Sequence, residues 1–322
     1  MAARPRLAFA AQFAQRLLFA VGAVFIASII IFAATDALPG NYATTTLGQA
    51  ATPHTLTVLV HQLGLNRPLT ARYISWLGGV LHGNLGMSYS GVSAWSLIHT
   101  RLVNSLALAV AAVILTVPLA VTLGIVTGLR AGGLLDGAVS ILTLIAVSLP
   151  EFVVGLLLAA LIGVGLGILP PTSIVAPTTN GFAHPNLLIL PAAAAASVTI
   201  GYIARMTRAA TLEVVQSDYI QAARLRGISG VELVRKYILR NALIPTLAVI
   251  GNQTAWMLTG LVAIELVFAY PGLGSLLINA ISTRDTPLIA AISLFITGAF
   301  VGVNFLTDTL ALLLNPRATA RR

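Results

Sequence analysis

The sequence predicts an all-α integral membrane protein with six membrane crossings, and three observations carry that reading. The first is composition. Of 322 residues, 57% are apolar and only 8% charged, whereas soluble domains carry about 25% charged residues. So few charges can hardly cover a soluble domain of this size, and so many apolar residues exclude a polar disordered chain. The second is the length of the uncharged runs, each of which supplies the ~20 residues that span ~30 Å of hydrocarbon as helix. The third is the uneven placement of basic residues along the chain.

Taken in order, the first crossing runs from Leu17 to Ala34, between Arg16 and Asp36. Its apolar run exceeds the ~7–15 residues of a signal-peptide core, and no convincing small-x-small cleavage site follows, so it is expected to stay as an anchor. The second covers about Ser105 to Thr127, between Arg101 and Arg130. The third runs from about Ala138 to Val164 and contains Pro150 and Glu151, the proline loosening the helix. The fourth lies between His184 and Arg205, the fifth from about Ile244 to Phe268, and the sixth from about Pro287 to Leu306. The chain divides into an N-terminal helix (1–35), an extracytoplasmic segment (36–100), and a five-helix core (101–322) that contains a cytoplasmic loop (205–240).

With six crossings, 14 of the 18 basic residues fall on one side, in the N-terminal flank, the loop holding Arg130, the 205–240 loop and the tail. Arg67, Arg72, Arg101, Arg284 and all five histidines fall on the other. The positive-inside rule then makes both termini cytoplasmic. The net charge of +9 faces anionic lipid, which explains the basic balance without a nucleic-acid partner. The arginine and alanine excess reads as genomic base composition. The absence of cysteine excludes disulfides, thiolate metal sites and a cysteine nucleophile.

Two polar segments stand out. The outer one, 36–100, interleaves Leu65, Tyr73, Trp76, Leu77, Leu81, Tyr89 and Trp95 with Thr and Gly. It is expected to pack on itself, on the helix ends or on an external partner. In the inner loop, Asp218 with Gln221 has the spacing of a capping box, predicting a short helix that starts near Tyr219. Gly227 can take the left-handed conformation that ends it. Ser229 with Glu232 is a second capping box, and Ile228 with Leu233 has the spacing of a hydrophobic staple. Small Ala222 and Ala223 leave a narrow helix end that could enter a groove on another protein. A solvated basic helix needed only for topology satisfies the same local chemistry.

The sole lysine, Lys236, follows Arg235 rather than glycine, so no phosphate-cradling G-x-x-x-x-G-K-[ST] loop exists. There is no H-E-x-x-H, and the histidines have no ligand spacing. Neither a cofactor, a metal nor an enzyme activity is expected of this chain alone. Ionisable groups at membrane depth cost about 2.5–3.5 kcal/mol, so Glu151, Glu265 and Asp308 each need a reason. Asp308, which can approach water, reads as bonded to freed backbone amides or to arginines at the interface. Glu151 and Glu265 fit either a hydrophilic pathway or proton relay, or the same bonding to freed backbone amides or interfacial arginines.

Asp218-Tyr219-Ile220-Gln221-Ala222-Ala223-Arg224-Leu225-Arg226-Gly227, followed by Asn241-Ala242-Leu243-Ile244-Pro245, resembles the inner loop of ABC importer permeases. The resemblance is strongest to the branch that imports dipeptides, oligopeptides and nickel. Further segments are similar to its dipeptide permease B-type subunits: Leu63 to Pro68, Trp76-Leu77 through Gly83-Asn84-Leu85-Gly86, Ser148-Leu149-Pro150-Glu151-Phe152, Glu265 to Phe268, Tyr270 to Gly274, and Asn315-Pro316-Arg317. Gln221 stands where the general motif has glutamate. Arg240 stands at its proline position, with Pro245 following later; both are ordinary for the peptide branch.

The resemblance implies a type I ABC importer permease: a six-helix half that pairs with a homologous second permease subunit in a bacterial cytoplasmic membrane. It implies that the helix containing Asp218, Gln221, Ala222, Ala223 and Arg224, ended by Gly227, seats in a cytoplasmic ATPase subunit that binds ATP and magnesium. It implies a solute-binding protein on the outer face, met by the 36–100 segment. Dipeptides or short oligopeptides are the implied solutes, with nickel or glutathione as alternatives within the branch. A gradient-driven transporter using Glu151 or Glu265 as a proton site is the alternative outside it.

Overall fold

The computed structural model describes residues 3–36, 52–62, 64–175 and 179–314, and these are almost wholly helical. The motif residues Leu63 and Asn315 to Arg317, the tail arginines Arg321 and Arg322, and residues 37–51 of the outer segment lie outside the described residues. In chain order the helices are α1 (Ala3–Asp36), α2 (Pro53–Gln62), α3 (Leu69–Leu81), α4 (Ala94–Leu129), α5 (Leu134–Ser148) and α6 (Glu151–Leu158). Then follow α7 (Pro185–Val215), α8 (Asp218–Leu225), α9 (Gly230–Leu233), α10 (Arg240–Val267), α11 (Leu273–Ser282) and α12 (Thr286–Leu314). A π-helical stretch, Ala159–Gly165, extends α6, and a second, Val234–Leu239, joins α9 to α10.

Among the described residues, five segments are long and apolar enough to cross a bilayer, and the remaining expected crossing, the third, is divided in two. The third crossing does not run as one helix: α5 stops at Ser148, and the chain resumes as α6 at Glu151 after a bend of 106°. The reason is local. Pro150 (φ −58°, ψ 140°) forces Leu149 out of the helical region to φ −102°, ψ 133°. Proline thus breaks this segment outright where loosening was expected. By contrast Pro118, Pro191 and Pro245 lie within continuous helices. Within the expected inner loop 205–240, α7 continues to Val215, the short α8 occupies Asp218–Leu225, and helix resumes again at Gly230.

The most extensive helix contact joins α4 to α7. Gly124 and Gly128 of α4 lie one turn apart and face Thr207 and Thr211 of α7. A Cβ on Gly128 would sit 2.7 Å from Thr211 Cβ, and one on Gly124 would sit 2.6 Å from the Ala204 carbonyl oxygen. Without a hydrophobic drive between helices in lipid, such close approach supplies the packing. Alanines serve the same end: Ala107, Ala112 and Ala120 of α4 and Ala194, Ala196 and Ala204 of α7 are buried. The alanine excess attributed to base composition therefore has a packing role. Leucine and isoleucine take the outside instead, as at Leu18, Ile30, Ile114 and Leu142.

The described part of the expected outer segment packs back on the helix ends. Tyr73 and Trp76 of α3 meet Phe32 of α1 with ring centroids 5.5 and 5.6 Å apart, and the Tyr73 hydroxyl lies 2.9 Å from Ser28 Oγ. At the opposite end α1 is tied to α12 by Arg16 and Asp308, 3.5 Å apart, so of the two kinds of partner expected for Asp308 it has an arginine.

The glycine seam yields a prediction. Gly128→Leu drives a branched side chain into Thr211 and should lower the stability of the detergent-solubilised protein by about 1–3 kcal/mol. Gly298→Ala, where a Cβ meets nothing within 4 Å, should be neutral or slightly stabilising. Melting curves of the two variants check this; equal melting temperatures would remove the seam's importance.

Candidate functional site: a polar knot and an arginine-rich loop

The two ends of the helix bundle are built differently. At one end four segments converge on a buried polar knot. Asn104 of α4 is fully buried; its side-chain amide donates to the Pro271 carbonyl at 3.0 Å, and its side-chain oxygen accepts from Gly181 N–H at 2.7 Å. Tyr270 closes the loop by donating its hydroxyl to the Asn104 carbonyl at 3.0 Å. Burial first, and the nearby Glu265 carboxylate second, push the Tyr270 hydroxyl above the ordinary tyrosine range, so it stays a donor.

Glu265 is 1% exposed and acts as a cap for α11 from outside that helix. Oε2 accepts from Gly274 N–H at 2.7 Å and Ser275 N–H at 3.1 Å. Ser105 donates its hydroxyl to Oε1 at 2.5 Å and accepts from Leu273 N–H at 2.8 Å. These are the first N–H groups of α11, which lack intrahelical partners. The helix's own N-cap is Gly272, with no side chain to offer. Arg101 adds positive charge nearby, its guanidinium donating to Ser275 Oγ at 3.2 Å. Gly272 and Gly274 are required by space: a Cβ on Gly272 would overlap the Glu265 carboxylate, and one on Gly274 would sit 2.5 Å from Val262 Cα.

A turn aims the chain into this knot. α10 closes with Tyr270 N–H donating to the Glu265 carbonyl at 2.8 Å and Ala269 N–H to the Leu266 carbonyl at 3.2 Å. Ala269 takes φ 50°, a conformation normally left to glycine. Beside the knot, Asp285 accepts from the Ser88 hydroxyl, and at 3.2 Å each from Tyr89 and Leu288 N–H, which pins the 82–93 turn to α12.

The other end carries the arginine-rich loop. The short helix α8 follows the predicted place, but Ser217 rather than Asp218 is its N-cap, and no reciprocal capping-box bond forms. Ser217 Oγ donates instead to the Val214 carbonyl at 2.5 Å, which leaves Asp218 in the first turn, facing the positive end of the helix. Ser229 is the cap of α9, again without a side-chain bond, because Glu232 turns to Lys236 Nζ at 2.8 Å. Gly227 takes φ 83°. Ile228 N–H donates to the Ala223 carbonyl at 3.1 Å and Gly227 N–H to the Arg224 carbonyl at 2.9 Å, the bond pair of a glycine-terminated helix.

The loop is bolted to the long helices. Ile220, Ala223, Leu233 and Ile238 form a buried cluster with Val214, Val215 and Ile228 against it, so the expected staple residues Ile228 and Leu233 share one core. Ala223, read as part of a narrow outward tip, is 2% exposed and faces this cluster. Asp218, Gln221, Arg224 and Gly227 are exposed and Ala222 is partly so. Sequence reasoning missed Leu225, which is 90% exposed between Arg224 and Arg226. An apolar residue at the one α8 position between two arginines was the available signal. Nearby, Arg208 of α7 grips Asp136 of α5 with two bonds, at 2.5 and 2.7 Å, and Gly132 N–H donates to the same carboxylate at 2.9 Å.

With these two ends in view, the comparisons are informative. Residues 120–320 match the binding-protein-dependent transport system inner membrane component, and residues 10–123 match the N-terminal part of such membrane components. The chain belongs to this family of transport permeases. It is 35% identical to a probable peptide ABC transporter permease of Sinorhizobium fredii, over 94% of this chain and 97% of that one. It is 35% identical to a putative peptide transport system permease of Brucella abortus, over 94% and 97%. It is 33% identical to the di/tripeptide transport system permease DppB of Pseudomonas aeruginosa, over 96% and 98%. The chain is thus a multi-pass membrane component of a transporter, with an all-helical permease fold.

The knot generates its own prediction. Glu265→Ala leaves the buried N–H groups of α11 without acceptors and should destabilise the protein by about 3 kcal/mol, given 1–3 kcal/mol for each unmet buried group. Glu265→Gln keeps an acceptor and should lose roughly half as much. Thermal unfolding in detergent checks the order; a Gln variant as unstable as Ala would show that the charge, not the cap, matters.

Proposed function

We propose that this chain is a permease subunit of an ATP-driven importer that moves dipeptides or short oligopeptides into the cytoplasm. It sits in a bacterial inner membrane with both termini cytoplasmic. It pairs with a homologous second permease. Cytoplasmic ATPase subunits bind ATP and magnesium, and an extracytoplasmic solute-binding protein delivers the peptide. The peptide transport named for its relatives supports the solute class, and family membership favours binding-protein delivery over a gradient-driven mechanism.

The observation that carries the coupling role is the α8 loop itself. A helix of eight residues presents Gln221, Arg224, Leu225 and Gly227, while its opposite side is fixed by Ile220 and Ala223 to the ends of α7 and the π stretch before α10. Seated in an ATPase groove, Leu225 would supply an apolar knob, and Arg224 and Arg226 would meet an acidic rim. Closing of the ATPases on ATP would then displace α8 without bending it, and the two long helices would follow. Asp218 in the first turn and Gly227 at the end keep the helix formed while it is pushed. At the knot end, the 36–100 segment is the surface that would receive the binding protein.

Two experiments test this. A mild-detergent pull-down from the native membrane should recover a homologous permease, ATPase subunits and a binding protein; a chain that transports alone would sink the reading. In the reconstituted complex, Gly227→Val forces a β-branched residue to φ 83°, and Leu225→Asp removes the knob. Each should cut peptide-stimulated ATPase activity and uptake by on the order of tenfold, the effect of about 1.4 kcal/mol, while membrane insertion persists. Unchanged stimulation in both would place the ATPase contact elsewhere.

A further inference from the structure

The two carboxylates within the apolar segments have opposite surroundings. Glu265 is enclosed by donors. Glu151 is half-buried, and among the described residues no donor or cation is bonded to it. Its side chain crosses from α6 to α10 and fills the notch above Gly260, where a Cβ would overlap Oε1. A glycine there admits the carboxylate without bonding it.

The backbone around Glu151 is polar for a separate reason. α5 ends at Ser148 and the chain turns through 106°, so the last carbonyls of α5 have no intrahelical partner and form the negative pole of that helix. Ser148 does not offset them, since its hydroxyl donates back to the Leu144 carbonyl at 2.8 Å. A cavity of about 410 Å³ opens on this spot, lined by Val147, Ser148, Phe152 and Val198 beside Glu151. Broken helix at membrane depth is tolerated where it lines a cavity, and such breaks mark binding sites in transporters.

We propose that Glu151 and the terminal carbonyls of α5 form a cation-binding station on the translocation route, taking the α-ammonium group of a peptide as it passes the Leu149–Pro150 break. The inference rests on the importer reading above. An ammonium group has three N–H donors and no acceptor, which suits one carboxylate flanked by carbonyls. A structural role accounts for Glu151 only in part: it stands in the first turn of α6, facing the positive end of that helix, but it closes no hydrogen bond, and an apolar side chain would fill the notch without the ~2.5–3.5 kcal/mol insertion cost of a charge. Half-exposure keeps the contact weak enough for release, as conduction through any pathway requires.

The chain has no cysteine, so Glu151→Cys places a single thiol in it. The complete importer carrying this variant is reconstituted in vesicles and treated with a sulfonatoethyl or a trimethylammonioethyl methanethiosulfonate, which add similar bulk and opposite charge. The wild-type chain, treated alike, is the control. The unmodified variant should import a zwitterionic dipeptide about tenfold more slowly, as expected for losing one hydrogen bond to a charged group. The negative reagent should restore uptake several-fold, the positive one should suppress it further, and peptide with binding protein should slow both reactions. No labelling of the working transporter, or identical effects of the two charges, would overturn the station. So would a Glu151→Gln variant that loosens recovery of the second permease yet transports normally per complex, since the cation would then be the partner's. If the wild-type complex imports no dipeptide, the importer reading itself has failed, and the charge comparison is not reached.

Discussion

The capping of α11 by Glu265 is the contact on which the knot end depends. A helix that starts with Gly272 has no side chain of its own to receive its first N–H groups. The carboxylate that receives them belongs to α10, and the hydroxyl that assists belongs to Ser105 of α4. One buried carboxyl group therefore fixes three helices relative to each other. Its insertion cost, about 2.5–3.5 kcal/mol for an ionised group, is offset by the several hydrogen bonds that converge on it, each contributing about 0.5–1.5 kcal/mol and more when the acceptor is ionised. Arg101 adds opposite charge across the same contact. The motif residues are consequences of this arrangement: Gly272 makes room for the carboxylate, and Gly274 lets the start of α11 lie on the backbone of α10.

From the knot, rigidity passes along the bundle to the arginine-rich end. α4 and α7 meet across glycine and threonine with almost no side-chain volume between them, so they respond to force as one body. α7 ends in the cluster that holds α8, and α10 reaches the same cluster through a π stretch. A push on α8 thus acts on helices whose far ends carry Asn104 and Glu265. Compliance is concentrated where regular helix is interrupted, at Leu149–Pro150 and in the π stretches Ala159–Gly165 and Val234–Leu239. The first two flank α6, the element that packs against α7 and α10 while standing outside the continuous spans.

Much of this was legible in the sequence, and the exceptions have physical causes. The apolar runs and the place of α8 follow from hydropathy and from Gly227, whose positive φ was the one backbone feature that local chemistry could dictate. The caps were misassigned by one residue at Asp218 because serine and aspartate are comparable N-caps, and Ser217 stands directly before it. Ala223 looked outward because periodicity shows that a face exists, not which side the core occupies. The proline at 150 broke its helix while those at 118, 191 and 245 did not, a difference that depends on neighbours able to satisfy the freed groups. The Gly124–Gly128 seam was visible as a spacing, yet its meaning lay in threonines about 80 residues away in the chain.

Glu151 and Glu265 make the limit of sequence reading concrete. Each is a lone glutamate in an apolar run, and hydropathy treats them alike. What separates them is the count of donors that the fold brings near. Glu265 ends its helix beside a turn that folds back, so the N–H groups of α11 and the Ser105 hydroxyl converge on it. Glu151 begins its helix at a break that leads away, so it meets the positive end of α6 but no converging donor, and the unpaired backbone groups of α5 beside it are carbonyls, which attract a cation. The same side chain is therefore complete in one place and left wanting a positive partner in the other. The direction of the chain at each turn, more than the residue, decides which glutamate holds the fold and which is free to meet a solute.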